Sequence, residues 1–361
     1  MKKISTRQLL IFYFIYSFSI KFLTLPKILA GSAGRDCWIA AGLSCLVELA
    51  ILFIILLTMN SENKGNLAAK VLMPALFAFF LLQLLVTLEH TNALLATTLY
   101  DKLNPHMFVI PMLVLGIFFC YSNTRAVFRS GEIFYILILI AIFLSVLPGL
   151  WKVSPRESLP VLGGGLTPVL RAVFDNLVYF EAGFVLLMFR GDIEIGKHFK
   201  KKFLITAGVG AVVFTAFVFF YYSLFGPLAA FKPLGIIDIT GANSYLAQNG
   251  RLEWIIACVW LLLLTLRFGI LFYCCFAAVR HITPAKFQPA AIVFPLAAAV
   301  YALFLFMSLD SVLSALKIPV LVFFAVVPLL FFLIGIISRS SVISGAEPAK
   351  GGKQNAANSL A

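Results

Sequence analysis

Leu9 to Ala30 forms one apolar stretch that is interrupted by Ser17-Phe18-Ser19-Ile20-Lys21-Phe22-Leu23-Thr24-Leu25-Pro26. Hydroxyls, a lysine and a proline stand where an unbroken membrane helix would carry apolar side chains. A second apolar stretch, Leu166 to Phe189, carries Asp175, Asn176, Tyr179, Glu181 and Gly183 at a similar depth. The two breaks lie roughly half a chain apart, and five predicted segments run from each break onward. Interrupted segments at corresponding positions of two halves point to an inverted repeat with a binding site near the bilayer midplane.

The composition sets the class. With 361 residues, 62% of them hydrophobic and 12% charged, the chain cannot bury its apolar side chains inside a water-soluble globule. Its mean hydropathy of +1.03 has the same meaning. The reading is an all-α integral membrane protein with ten transmembrane helices, of which helices 1 and 6 are broken. The helices are expected at about 7–31, 37–59, 71–99, 106–122, 130–150, 166–190, 199–225, 252–278, 287–307 and 316–338, each long enough at about 1.5 Å per residue to cross about 30 Å of hydrocarbon. They form one domain over 1–338, with one repeat over about 7–150 and the other over about 166–338. The tail, 339–361, is rich in Gly, Ala, Asn, Ser and Lys and is expected to be disordered and cytoplasmic.

The formal charge of +13 does not imply a nucleic-acid partner, because the basic residues are scattered between apolar runs and form no stripe. They act as topology signals. Lys2, Lys3, Arg7, Lys64, Lys70, Arg125, Arg129, Arg190, Lys197, Lys200, Lys201, Lys202, Arg280, Lys286, Arg339, Lys350 and Lys353, 17 of the 28 lysines and arginines, fall on one side of the bilayer. The other side receives Lys27, Arg35, Lys102, Lys152, Arg156, Lys232, Arg251 and Lys317. The positive-inside bias then places both termini in the cytoplasm. Met1-Lys2-Lys3 resembles the start of a signal peptide, but the apolar run behind it is too long and has no small-residue cleavage pattern, so it is expected to stay as the first helix.

Enzyme chemistry has no foothold. The chain has no G-x-S-x-G, no H-E-x-x-H and no phosphate-binding G-x-x-x-x-G-K-[ST]. Its cysteines (Cys37, Cys45, Cys120, Cys258, Cys274, Cys275) have no C-x-x-C spacing, so neither a disulfide framework nor a metal site is expected, and no cofactor is implied.

The candidate site is made of polar groups at membrane depth. Lys21 lies 10 residues before Gly31, about 15 Å along a helix, and Asp175 lies 9 residues after Leu166, about 14 Å. At matching depth on two crossing segments, Lys21 is expected to pair with Asp175 or Glu181 when the site is empty or to meet an acidic group of the ligand, because charges inside a membrane usually have partners, and the competing reading is that it snorkels outward beside Lys27. Arg267, deep in helix 8, is expected to pair with Glu181, either as a structural ion pair or as part of the ligand site. Glu48 and Glu89 are candidates for proton or ion coupling, with structural pairing as the competing reading.

Where a helix is interrupted, backbone N–H and C=O groups lose their internal partners and need side chains, water or ligand. A small ligand carrying a carboxylate and an amine suits such ends. Ser17, Ser19, Thr24 and Asn176 would add polar contacts, and Phe18, Tyr179, Phe180 and Phe184 an apolar wall. The competing reading for the hydroxyls is hydrogen bonding to their own helix carbonyls. Outside the membrane, Gly163-Gly164-Gly165 reads as a hinge into the second broken helix, and the later part of Gly226 to Glu253 as a short interfacial helix over the site.

Several stretches resemble a known family: Ile4-Ser5-Thr6-Arg7-Gln8-Leu9, Leu23-Thr24-Leu25-Pro26, Ala33-Gly34-Arg35-Asp36-Cys37-Trp38-Ile39-Ala40, and Leu159-Pro160-Val161-Leu162-Gly163 followed by Gly183-Phe184-Val185-Leu186-Leu187-Met188-Phe189. The chain resembles the spore germinant receptor B subunit family, and the Ala-Gly-Arg-Asp-x-Trp-Ile stretch is the most specific of these. That family belongs to the amino acid–polyamine–organocation superfamily, which implies a LeuT-like 5+5 inverted repeat. The resemblance implies a nutrient-binding subunit, often for amino acids, in the inner membrane of an endospore. It also implies work alongside a membrane A subunit and a lipoprotein C subunit, and sensing rather than uptake. The alternative class is a proton-coupled secondary transporter of an amino acid or similar solute. The family commonly has Gly-rich sequence at the first break and Gly-Phe-Glu in helix 6. Here Ser19-Ile20-Lys21 and Gly183-Phe184-Val185 stand instead, which argues against a ligand of the L-alanine type.

Overall fold

Ser5 starts the first helix. Its hydroxyl accepts from the Gln8 backbone N–H at 3.3 Å, and the Gln8 side chain accepts from the Ser5 N–H at 3.4 Å, so two of the N–H groups left over at a helix start are satisfied reciprocally. The computed structural model describes residues 4–58, 66–98, 104, 106–122, 124–189, 193, 196, 198–242, 251–283 and 288–307, together with 323, 324, 326 and 329.

Within that range the chain is helical, with one isolated bridge between Ile4 and Ile193. Helices α1 (Thr6–Lys21) and α2 (Leu25–Ala33) make up the first broken segment, followed by α3 (Cys37–Thr58), α4 (Asn66–Thr98), α5 (His106–Tyr121) and α6 (Thr124–Val146). The second broken segment is α7 (Leu166–Asp175) and α8 (Ala182–Met188). Helices α9 (Phe199–Phe225), α10 (Gly235–Gly241), α11 (Arg251–Ile282) and α12 (Ala290–Phe306) complete the described chain.

Among the described residues, five helical runs are long and apolar enough to cross a membrane: Leu25–Leu57, Leu72–Thr98, Gly131–Lys152, Phe199–Phe231 and Leu252–Ile282. Two shorter apolar helices, His106–Tyr121 and Ala290–Phe306, lie beside them. The chain is therefore an all-helical membrane protein. The predicted tenth helix at 316–338 lies almost wholly outside the described residues, as does the tail.

Both expected breaks are present, but the first is shorter than the sequence suggests. Ser17, Ser19 and Lys21 are still helical, and only Phe22–Thr24 depart from the helix before Pro26 enters the first turn of α2. A proline is tolerated there because the N–H it lacks has no helical partner at that position. The second break runs from Asn176 to Glu181, with a single 3₁₀ turn at Leu177–Tyr179 between α7 and α8. Gly165 opens α7 with φ 83°, a backbone conformation that costs glycine little.

The packing places α1 at the centre. It contacts α6, α9 and α11, while α11 lies along α4 and α5, and α3 lies against α9 and α7. Ile133, Ile136, Ile140 and Phe143 on α6 and Ile205, Val209 and Val212 on α9 are exposed, an apolar surface suited to lipid. The inward faces carry the buried polar residues, among them Ser17, Ser19, Lys21, Glu48, Gln83, Thr87, His90, Glu181 and Arg267.

Candidate functional site, two buried ion pairs at the helix breaks

The face of α1 marked by Ser17 and Lys21 is one helical turn per step, so both residues look the same way. Lys21 Nζ donates to Ser17 Oγ at 2.8 Å and to Glu48 Oε2 on α3 at 2.5 Å, and it lies 4.5 Å from the centre of the Phe180 ring. Lys21 and Glu48 are 4% and 6% exposed, so this pair is screened from solvent. A small cavity of about 10 Å³ borders it, lined in part by Tyr13, Cys45 and Gly210. That is room for about one water.

The expectation that Lys21 pairs with Asp175 or Glu181 is corrected by this geometry. Helical rise places Lys21 and Asp175 at one depth, but depth does not tell which way a side chain faces. Asp175 is the last residue of α7, and its partly exposed carboxylate meets Arg171 one turn earlier at 3.7 Å. The Lys21 ammonium faces α3, where Glu48 is the neighbouring carboxylate.

The second pair lies on the other side of α1. Arg267 of α11 donates through Nη2 to Glu181 Oε1, which also accepts from the Tyr16 hydroxyl at 3.0 Å. Arg267 further donates through Nη1 to the Tyr16 carbonyl at 2.9 Å and through Nε to Thr87 Oγ1 at 3.3 Å. Nη2 also reaches Gln83 Oε1 at 3.5 Å. The guanidinium lies 4.2 Å from the centre of the Tyr16 ring. A planar fork with five donors can hold such a set at once, whereas a lysine cannot. Arg267 thereby ties α1, α4 and the second break together, in the pairing with Glu181 expected from the sequence.

The carbonyls released at the breaks are also satisfied by the chain. Trp260 Nε1 donates to the Ser19 carbonyl at 2.8 Å, and Gln83 Nε2 to the Val178 carbonyl at 2.7 Å. Helix α10, within the stretch expected to form a short cap, turns its first N–H groups toward the first break. Gly235 N–H donates to the Leu23 carbonyl at 2.6 Å and Ile236 N–H to the Phe22 carbonyl at 3.2 Å. Donors left over at one helix start thus meet acceptors left over at another helix end. The rest of the expected cap, 243–250, lies outside the described residues.

Several candidate residues serve their own helices. Ser19 Oγ donates to the Tyr16 carbonyl at 2.8 Å, Thr24 Oγ1 to the Ile20 carbonyl at 3.4 Å, and Asn176 Nδ2 to the Ala172 carbonyl at 2.7 Å. Phe18 stacks on Phe14 at 4.0 Å, and Phe184 packs against Phe79 at 5.7 Å. Glu89 is half-buried, and the residues of α4 that reach the Arg267 cluster are Gln83 and Thr87.

Sequence reasoning did not single out Tyr16, Gln83, Thr87 or Trp260. A signal exists for part of the set, because Gln83, Thr87, His90 and Thr91 recur at helical spacing as one polar stripe on an otherwise apolar α4. Nothing in the local sequence marks Tyr16 or Trp260. Glu48 Oε1, Glu181 Oε2, the Tyr179 hydroxyl and His90 Nε2 are buried and have no hydrogen-bond partner among the described residues. Such groups cost about 1–3 kcal/mol each when left unsatisfied, so they concentrate polar demand around the two pairs.

Two of the stretches that carried the family resemblance hold each other. Arg35 Nη1 donates to the Leu159 carbonyl at 2.9 Å, and the Leu162 N–H donates to Asp36 Oδ1 at 2.7 Å, so the Ala-Gly-Arg-Asp stretch anchors the Leu-Pro-Val-Leu-Gly loop. A family model described as spore germination protein matches residues 3–312. Spore germination protein KB of Bacillus subtilis (strain 168) is 26% identical over 229 residues, 58% of this chain and 60% of that protein. The aligned region is less than two thirds of that relative's length. The match takes in both breaks, both buried ion pairs and the anchored loop, and the chain belongs to the spore germination protein family.

Proposed function

We propose that this chain is the nutrient-binding membrane subunit of a spore germinant receptor, without catalytic activity. It sits in the inner spore membrane with both termini cytoplasmic, and works with an A subunit and a lipoprotein C subunit. The fold proposed for it is the LeuT-like 5+5 inverted repeat, with repeats over about 7–150 and 166–338.

The observation that carries the reading is the Arg267–Glu181–Tyr16 cluster, which ties α1 and α11 to the second helix break and is bordered by Glu181 Oε2 and the Tyr179 hydroxyl, both without a hydrogen-bond partner among the described residues. Each buried pair contains one cation and one anion. A zwitterionic ligand such as an amino acid matches both signs, its carboxylate competing for Arg267 and its ammonium for Glu181. Exchange of partners would loosen the link between α1 and α11, and a ligand that prefers the loosened arrangement shifts the population toward it. Partner subunits that contact this chain would then receive that bias.

The test is nutrient-triggered germination of spores carrying Glu181→Gln or Arg267→Lys, with the protein level measured in the same spores. Loss of the response at normal protein level is the expected outcome. An unchanged dose–response in both variants would remove the site from ligand recognition.

The transporter reading has one observation in its favour, the buried Glu48 carboxylate with an unpartnered oxygen beside a water-sized cavity. Intramembrane carboxylates of this kind serve in proton relays. Uptake of a labelled amino acid into proteoliposomes, driven by a proton gradient and lost in Glu48→Gln, would favour that reading over pure sensing.

A further inference from the structure

A second and larger cavity lies toward the end of the bundle where α1 begins, and shares Phe14 and Thr206 with the small cavity beside the Lys21–Glu48 pair. Its volume is about 390 Å³, within the range of small-molecule sites, and it is a wedge between α1, α6 and α9. Arg7, Glu132 and Lys202 supply its charged lining, Tyr135, Thr6 and Thr206 add hydroxyls, and Leu10 and Ile136 are among its apolar residues.

Three features define what fits. Among the described residues, Arg7, Glu132 and Lys202 form no ion pair within 4 Å, so their charges are not consumed by one another. Their sum is one positive charge, which complements a ligand head of net charge −1. The wedge also opens sideways: Ile136 on α6 is 63% exposed, and Ile205 and Val209 on α9 are 54% and 57% exposed. A ligand seated here has a charged mouth for its head and an apolar wall beside it for a chain.

The geometry points to a binding site for the headgroup of an anionic phospholipid, its phosphate held by Arg7 and Lys202 and its acyl chains lying along the exposed apolar faces of α6 and α9. Basic pockets between membrane helices on the cytoplasmic side suit such headgroups, and the charge bias of this chain assigns this end to the cytoplasm. Arginine adds a planar fork matched to phosphate oxygens, and lysine a point charge. Glu132 sets the selectivity, disfavouring more highly charged heads by like-charge repulsion. A lipid wedged between α1 and its neighbours would hold the inner half of the broken helix in place. The central site and the lipid site would then be linked through α1.

The experiment uses the full chain in nanodiscs of phosphatidylcholine with graded phosphatidylglycerol, reading thermal stability and the lipid retained in native mass spectrometry. Wild type is expected to retain phosphatidylglycerol preferentially and to gain stability with it. The preference should fall by about fivefold per cation removed in Arg7→Gln and Lys202→Gln. Lys201→Gln, a neighbouring exposed cation that does not line the wedge, should keep it. If the charge variants fail to fold, Leu10→Trp, which fills the wedge and leaves the charges in place, should abolish the preference. Equal losses in Lys201→Gln and Lys202→Gln would reduce the effect to general surface charge and overturn the site. So would an equal response to phosphatidylcholine alone, or full reproduction of the stabilisation by inorganic phosphate without lipid. All of these readouts are independent of germination, so they can fail while the germinant site stands, and the reverse.

Discussion

Arg267 shows most directly what a buried charge does in this protein. It is 2% exposed, and the direct or π contacts it makes reach Tyr16, Gln83, Thr87 and Glu181. Removing one partner of a buried pair leaves the other charge uncompensated, at a cost of about 3–5 kcal/mol, whereas removing both together can be nearly neutral. Arg267→Met and Glu181→Leu are therefore each expected to lower the unfolding temperature of the detergent-solubilised protein sharply, and the double variant to recover much of the loss. Lys21 gives a second and discriminating cycle. Lys21→Met and Glu48→Gln should be strongly non-additive, while Lys21→Met and Asp175→Asn should add within about 0.5 kcal/mol, because Lys21 meets Glu48 and Asp175 meets Arg171. Coupling between Lys21 and Asp175 of a size like that between Lys21 and Glu48 would contradict the arrangement described here.

At the scale of elements, the junction between α10 and the first break is a contact with little tolerance, because its neighbour is backbone. A Cβ on Gly235 would lie 2.8 Å from the Phe22 carbonyl oxygen and 3.1 Å from Pro26 Cγ. Gly235→Ala must push α10 off the carbonyls it serves. A destabilisation of about 1–3 kcal/mol is expected, in the range of overpacking, with faster hydrogen exchange at Gly235 and Ile236 as its local signature.

The same element has a pH dependence. Burial pushes the Asp238 carboxyl up to about 6 from its ordinary 3.8, against the opposing effect of the Leu234 N–H that it accepts at 2.7 Å. A carboxyl raised in the folded state favours folding when protonated. Its contribution is fully present below pH 3.8 and is lost as the pH rises through about 6. Protection of the 235–241 amides, corrected for intrinsic exchange, should fall across that window in the wild type, and Asp238→Asn should flatten the fall. A profile that rises with pH would contradict the assignment.

For the whole molecule, the distribution of charge predicts orientation. With Arg7, Lys200, Lys201 and Lys202 at one end and Lys152 and Lys232 at the other, both termini are expected on the cytoplasmic side. Epitope tags at the two ends should be shielded from protease added outside right-side-out vesicles and cleaved in inverted ones. Cleavage of one tag in each orientation would mean an odd number of crossings and would remove the ten-helix count.

Much of this was legible in the chain because membranes impose simple rules. Hydropathy and length mark apolar helices, since every backbone polar group in hydrocarbon must be paired within the segment. Polar residues inside such runs locate the breaks, as Lys21 and Pro26 do for the first and Asp175 to Glu181 for the second. The pairing of Arg267 with Glu181 followed from scarcity, because a deep guanidinium has few carboxylates to meet. Rotation about each helix axis was not legible. Depth along a helix is a property of the local chain, but the direction a side chain faces depends on which neighbours pack around it. Sequence alone therefore determined the class, the breaks and the charged inventory, whereas the tertiary structure decided that Lys21 turns to Glu48 rather than Asp175. It also decided that Tyr16 and Trp260 serve the breaks and that α10 closes the first of them. These are long-range contacts between elements distant in the chain, and no local pattern encodes the side on which they meet.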